Sequence, residues 1–174
     1  MTVKTKKPVG STGRPTRPPA QAHVTTSPER TRCGWCLKDD IYIRYHDQVW
    51  GVPERNDRRL FAKLCLDGAQ AGLSWYTILV RTDSYARAFD NWDAEKIARY
   101  TPRKIETLLK DPGIIRNRQK VESVVKNAKA YLQIMEGGKG GFRDFLWKHV
   151  DHTTQVNQWT DLKQIPAHTA VSDA

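Results

Sequence analysis

The stretch IRNRQKVESVVKNAKAYLQIMEGGKGG, residues 115–141, decides the fold class. Within it Val121, Val124, Val125, Ala128, Tyr131 and Leu132 recur at one-, three- and four-residue spacings, which gathers them on one stripe of a 3.6-residue helix and leaves charged and amide side chains on the rest. The spacing predicts a helix from about Ile115 to Met135. The run Gly137-Gly138-Lys139-Gly140-Gly141 ends it, because glycine weakens a helix interior.

The same period extends outward in both directions. A further helix is expected from Phe142 to about Val150. Upstream, Asp111-Pro112-Gly113 marks a turn, and Thr101 followed by Pro102 marks a helix start, since proline suits the first helical position. Asp93 is a candidate N-cap for a short helix through Arg99. An amphipathic segment from about Trp75 to Phe89 offers Ile78, Leu79, Tyr85 and Phe89 to a core. From Asp57, Leu60, Phe61, Leu64, Cys65 and Gly68 form one face of a helix whose other face carries Arg58, Arg59 and Lys63, and Gly72 and Ser74 punctuate its end. Strand signals are few and no internal repeat stands out. The expected architecture is all-α: several short helices around one core.

The chain's 174 residues, 39% of them hydrophobic, suit one globular domain. No apolar run reaches the roughly 20 residues that cross a bilayer, and the N-terminus lacks the apolar centre of a secretory signal, so a cytoplasmic protein without a membrane partner is expected. A net charge of +10 and a pI near 9.7 point to a polyanionic partner. Five of those charges, Lys4, Lys6, Lys7, Arg14 and Arg17, precede the first acidic residue, Glu29. Residues 1–31, rich in Pro, Thr, Ser, Lys and Arg, are expected to form a disordered basic leader: a solvated tail, a phosphate-binding tail, a transit peptide or the product of a miscalled start site. The folded domain is expected over 32–174. Three cysteines, an odd number without a secretion signal, argue against a disulfide framework.

The densest group of unusual residues lies between Cys33 and Tyr76. Trp35, Tyr42, Tyr45, Trp50, Trp75 and Tyr76 accompany the carboxylates Asp47 and Asp67. Rings around an acid suit a planar ligand, and a cationic one gains further from ring quadrupoles and from the carboxylate; ordinary core packing is the alternative. Cys33 and Cys36 make a Cys-x-x-Cys, a spacing shared by zinc sites, redox centres and incidental thiols, and no second such pair follows. His46 is a candidate partner of Cys33 on a metal, or a hydrogen-bonded structural residue. His149, His152 and His168 are weaker candidates to complete a set. Arg116, Arg118 and Lys120 are candidates for contact with a nucleic-acid backbone, or simply a solvated basic helix start.

Arg32-Cys33-Gly34-Trp35, Tyr42-Ile43-Arg44-Tyr45-His46-Asp47 and Trp50-Gly51-Val52-Pro53 closely resemble the start of the 3-methyladenine DNA glycosylase I family. Gln70-Ala71-Gly72-Leu73-Ser74-Trp75, Gly113-Ile114-Ile115-Arg116-Asn117 and the stretch from Ile165-Pro166 to Ser172-Asp173-Ala174 follow in family order. The resemblance implies an all-α fold of the helix-hairpin-helix glycosylase type that extrudes a damaged nucleotide from double-stranded DNA and hydrolyses its N-glycosidic bond. It implies a base pocket of Trp35, Tyr42, Tyr45, Trp50 and Trp75, with Asp67 facing the purine edge where the family has glutamate, one methylene longer. It also implies a structural zinc whose matching ligands are Cys33 and His46, and a monomer working at the nucleoid. The family continues past the Ser-Asp-Ala match into a hairpin and a final His and Cys, so a domain lacking the C-terminal hairpin region, and of marginal stability, is expected. Two other readings stay open: a truncated or degenerate relative that binds alkylated base or DNA without catalysis, and a helical metal-binding module for RNA or a protein.

Overall fold

The computed structural model describes residues 31–138 and 140–173. The expectation of a disordered leader falls, apart from its last residue, outside the described residues. The chain divides after Arg32, and the elements that follow belong to the unit Cys33–Ala174.

Eight α-helices and no strands occur among the described residues: α1 Asp40–Gln48, α2 Asp57–Gln70, α3 Trp75–Leu79, α4 Thr82–Ala88, α5 Ala94–Ala98, α6 Pro102–Leu108, α7 Arg118–Gly137 and α8 Gly141–Trp147. Most starts are set by short polar side chains that accept an otherwise unpaired backbone amide. Asp39 caps α1 and Asn56 caps α2; Asp93 and Thr101 cap α5 and α6 as their sequence context predicts.

The helix read from residues 115–141 is the axis of the fold. α7 packs against α2, α5, α6 and α8, burying Val121, Val124, Val125 and Ala128. Phe61, Ile78, Phe89 and Ile97 are fully enclosed around it, each removal from water contributing roughly 1.5–3 kcal/mol. A parallel stack of Tyr85, Phe89 and Trp92, with interplanar angles of 9° and 7°, fills the space between α4 and α5. That stack needs a left-handed turn, because Asp90, Asn91 and Trp92 have φ of 49°, 53° and 63°. Such backbone costs roughly 1–2 kcal/mol per non-glycine residue. Tyr100 holds it by donating its hydroxyl to Asp90 Oδ2 at 2.5 Å.

Three expectations change. The segment Trp75–Phe89 is two helices. The carbonyls of Thr77 and Leu79, which a continuing helix would offer to later amides, instead accept from the Arg81 guanidinium at 2.7 Å and the Thr82 hydroxyl at 2.9 Å. α7 begins at Arg118, after Asn117, because Ile114 is buried and the Ile115 amide donates to the Tyr85 hydroxyl at 3.1 Å, holding that stretch out of the helix. The final turn of the helix expected through Val150 is 3-10 in form.

A clasp joins the segment before α2 to α8 and the turn that follows it. Trp147 Nε1 donates to the Glu54 carbonyl at 2.9 Å, the Arg55 guanidinium lies 3.6 Å from the Trp147 ring centre, and Arg55 Nη2 donates to the His152 carbonyl at 2.8 Å. The linker between α1 and α2 is thereby fixed to α8.

Candidate base-binding site

The site grows from α1. Tyr42, Tyr45 and His46 stand three and four residues apart and so share one face, as the helical period requires. Trp35, on the short turn before α1, meets that face: its ring centre lies 5.3 Å from Tyr42, 6.4 Å from Tyr45 and 5.3 Å from His46. Trp50, just past the helix, adds contacts of 5.2 Å to Trp35 and 5.4 Å to His46.

The opposite wall comes from α3. Gly72 has φ of 75°, a left-handed turn that a side chain would strain, and it reverses the chain after α2. Ser74 then caps α3, its hydroxyl accepting the Thr77 amide at 3.2 Å. Trp75 arrives 5.4 Å from Tyr45, and Tyr76 5.2 Å from Tyr42. All six rings expected from the sequence therefore form one connected group. Trp75 Nε1 is buried and has no hydrogen-bond partner among the described residues.

Of the two carboxylates, Asp47 is committed elsewhere: its Oδ1 accepts from His46 Nδ1 at 2.9 Å, and only 15% of the side chain is exposed. Asp67 lies near the ring group. Burial raises the Tyr45 hydroxyl above its ordinary pKa, and the negative charge of Asp67 raises it further. Asp67 is itself half exposed and accepts the Lys63 ammonium on both oxygens, at 2.5 and 2.7 Å. The same ammonium lies 4.7 Å from the centre of the Trp75 ring. At the far edge Tyr76 donates to Asp39, which with the Tyr42 amide keeps that acid below the ordinary range.

Asp67 occupies the last turn of α2, where the helix dipole disfavours an acid. Lys120 compensates from α7, donating to the carbonyls of Ala69 and Ala71 at 2.7 Å each and so closing the end of α2. Lys120 thus has partners within the fold as well as a place at the basic helix start. Arg118 is likewise paired, with Glu106 at 2.5 Å and Glu122 at 3.6 Å, whereas Arg116 is exposed. Lys63 carried a legible signal that sequence reading passed over: it precedes Asp67 by four residues, one helical turn.

Cys33 and His46 are adjacent, the Cys33 amide lying 3.4 Å from His46 Nε2. Thiolate and imidazole are zinc donors, and an Asp47-oriented histidine resembles the outer sphere of many zinc sites. A structural zinc takes four donors, however, and no group of three or more His, Cys, Asp or Glu side chains is arranged for a metal among the described residues. The pair alone does not fit the ion. Cys36 is buried and donates its thiol to the Cys33 carbonyl. Of the other candidate histidines, His149 lies against Phe145 and His168 pairs with Asp173, while His152 meets Arg55 through its backbone carbonyl.

Two open clefts mark the surface, and only the first reaches the ring group, at Tyr45. One, of about 390 Å³, runs between α1 and α4 and includes Tyr45, Arg44, Leu79 and Asp83. The other, of about 460 Å³, lies near α8 and includes Phe145, Lys148 and His152. Among the described residues no helix is long and apolar enough to cross a membrane.

The family described as methyladenine glycosylase matches residues 35–174. The chain is 46% identical over 143 residues to DNA-3-methyladenine glycosylase 1 of Escherichia coli (strain K12), a match covering 82% of this chain and 76% of that protein. It superposes on a crystal structure of 3-methyladenine DNA glycosylase I with a TM-score of 0.79 and 43% identity, covering 82% of this chain and 78% of the other. A variant of 3-methyladenine DNA glycosylase I solved in complex with 3-methyladenine gives a TM-score of 0.76 at 34% identity, covering 80% and 74%.

Proposed function

This chain belongs to the methyladenine glycosylase family, and on that premise we infer that it is a monofunctional DNA glycosylase hydrolysing the bond between 3-methyladenine and deoxyribose in base excision repair. We propose alkylated double-stranded DNA as the substrate form, a monomer as the working unit and the nucleoid as the place of work. The positive net charge supports the first of these.

A purine methylated at N3 is cationic in the nucleotide and already a good leaving group, so the protein's task is to extrude and select it. We assign the base pocket to Trp35, Tyr42, Tyr45, Trp50 and Trp75, whose stacking contributes roughly 1–3 kcal/mol per base. Asp67 is assigned to the purine edge, where a carboxylate accepts hydrogen bonds and favours a cation over neutral adenine. Water attacks C1′, and its oxygen bonds to carbon as the bond to the purine nitrogen breaks. The bonding electron pair enters the ring and cancels its charge, and the proton passes to solvent. The products are free 3-methyladenine and an abasic sugar. No step is routed through zinc.

The observation that carries this reading is the connected group of rings, with Asp67 beside it through the Lys63 ammonium that lies against Trp75. The test is release of free 3-methyladenine from methylated duplex DNA by the chain and by its Asp67→Asn variant. Release is expected, with a loss of about 10- to 100-fold in the variant, the size of one charge-assisted hydrogen bond. Binding of methylated duplex without release would favour a binding protein, and undiminished release by the variant would remove Asp67 from the account.

A further inference from the structure

We propose that Lys63 is a resident cation of the base site: its ammonium, held by Asp67 and laid against Trp75, takes the place a positively charged purine needs, and so weakens and tunes binding of the lesion. The inference rests on the assignment of Asp67 and Trp75 to base recognition and concerns a residue that assignment does not include.

Three observations converge. Both oxygens of Asp67 accept the same ammonium, at 2.5 and 2.7 Å, while its nitrogen lies 4.7 Å from the Trp75 ring centre. Carboxylate and ring face are the two groups that recognise a cationic base, and both attract any cation. Helix stability accounts for the pair only weakly, because an acid that follows a lysine by four residues is the less favourable order of an i,i+4 couple. The pair is also poorly shielded: each side chain is 46% exposed, the regime in which ion pairs are readily exchanged. A lysine on a four-carbon stem swings out at little cost. It is a competitor for the site, and the cationic lesion replaces one positive charge by another.

Kinetics of 3-methyladenine release from methylated duplex DNA, measured for the wild type, Lys63→Met, Lys63→Arg, Asp67→Asn and the Lys63→Met/Asp67→Asn double variant, test the proposal. Lys63→Met is expected to lower KM about fivefold, near 1 kcal/mol at 1.4 kcal/mol per tenfold, with kcat little changed and the gain larger at low salt. Lys63→Arg, which keeps a cation, is expected to stay within about twofold of the wild type. In the Asp67→Asn background the gain should vanish, since the lysine acts through that carboxylate. An unchanged or raised KM in Lys63→Met, or an equal gain without Asp67, overturns the proposal. If Asp67→Asn still impairs release, the site assignment survives that failure; if neither variant changes anything, both fall.

Discussion

Replacing Lys120 by methionine tests whether a basic residue at the start of α7 serves the fold or the nucleic acid. Methionine keeps an apolar stem of similar length and removes the ammonium. The lysine reaches back 51 and 49 residues to the carbonyls of Ala69 and Ala71, each at 2.7 Å, the first partly buried and the second exposed. A hydrogen bond from a charged donor contributes roughly 1.5–3 kcal/mol, less where water screens it, so the two together come to about 2 kcal/mol. For a domain of this size that loss lowers Tm by roughly 4–8 °C. Thermal and urea unfolding read the loss directly. The salt dependence of duplex binding reads the alternative, because each phosphate neutralised contributes about 0.9 to the slope of log K against log salt. The expected result is a lower Tm with an unchanged slope. An unchanged Tm with a slope reduced by about one would place Lys120 on DNA and refute the capping argument.

Cys65 is 3% exposed, and burial lifts its thiol from 9.0 to about 12. The folded state thus holds a proton that the unfolded chain releases, so its contribution is intact below about pH 9 and is lost as pH rises toward 12, by roughly 4 kcal/mol at 1.36 kcal/mol per pH unit. Tyr85 and Tyr131, also raised chiefly by burial, act in the same direction. Urea unfolding from pH 8 to 12 is expected to show the decline and Cys65→Ala to flatten it; equal slopes in both proteins would contradict the assignment. At the left-handed turn, Asn91→Val is expected to cost about 1–2 kcal/mol and Asn91→Gly to be neutral or stabilising by up to about 1 kcal/mol, read by Tm. Because Cys33 and His46 alone do not make a four-donor zinc site, a chelator is expected to leave the Tm of this 174-residue chain within about 1 °C, and a fall of several degrees would show that other residues complete a site.

The helical period made the fold class legible, and the apolar stripe of α7 reappears as the core face of the structure. Caps at Asp93 and Thr101 were readable for the same local reason. The break after Leu79 was not, because it depends on side chains of Arg81 and Thr82 capturing carbonyls, a competition that apolar spacing does not register. Trp92 and Ile97 entered the core through a left-handed turn and a short helix, neither of which leaves a periodic trace. At the site, residue types named the rings and the acid, and the motifs they share with a family ordered them. What the one-dimensional pattern hid was charge pairing: Lys63 and Lys120 look like surface lysines until the partners of Asp67 and of the last carbonyls of α2 are seen.

The clasp of Arg55 and Trp147 has a consequence for the order of events during synthesis. The segment that leads from α1 into α2 finds its anchor 93 to 97 positions later in the chain, so it closes a loop of high contact order. A nascent polypeptide can wind α1 well before Trp147 leaves the ribosome, but the linker that follows α1 is anchored only when that tryptophan arrives. Release of a chain ending before residue 147 would leave the linker between α1 and α2 without its anchor on α8.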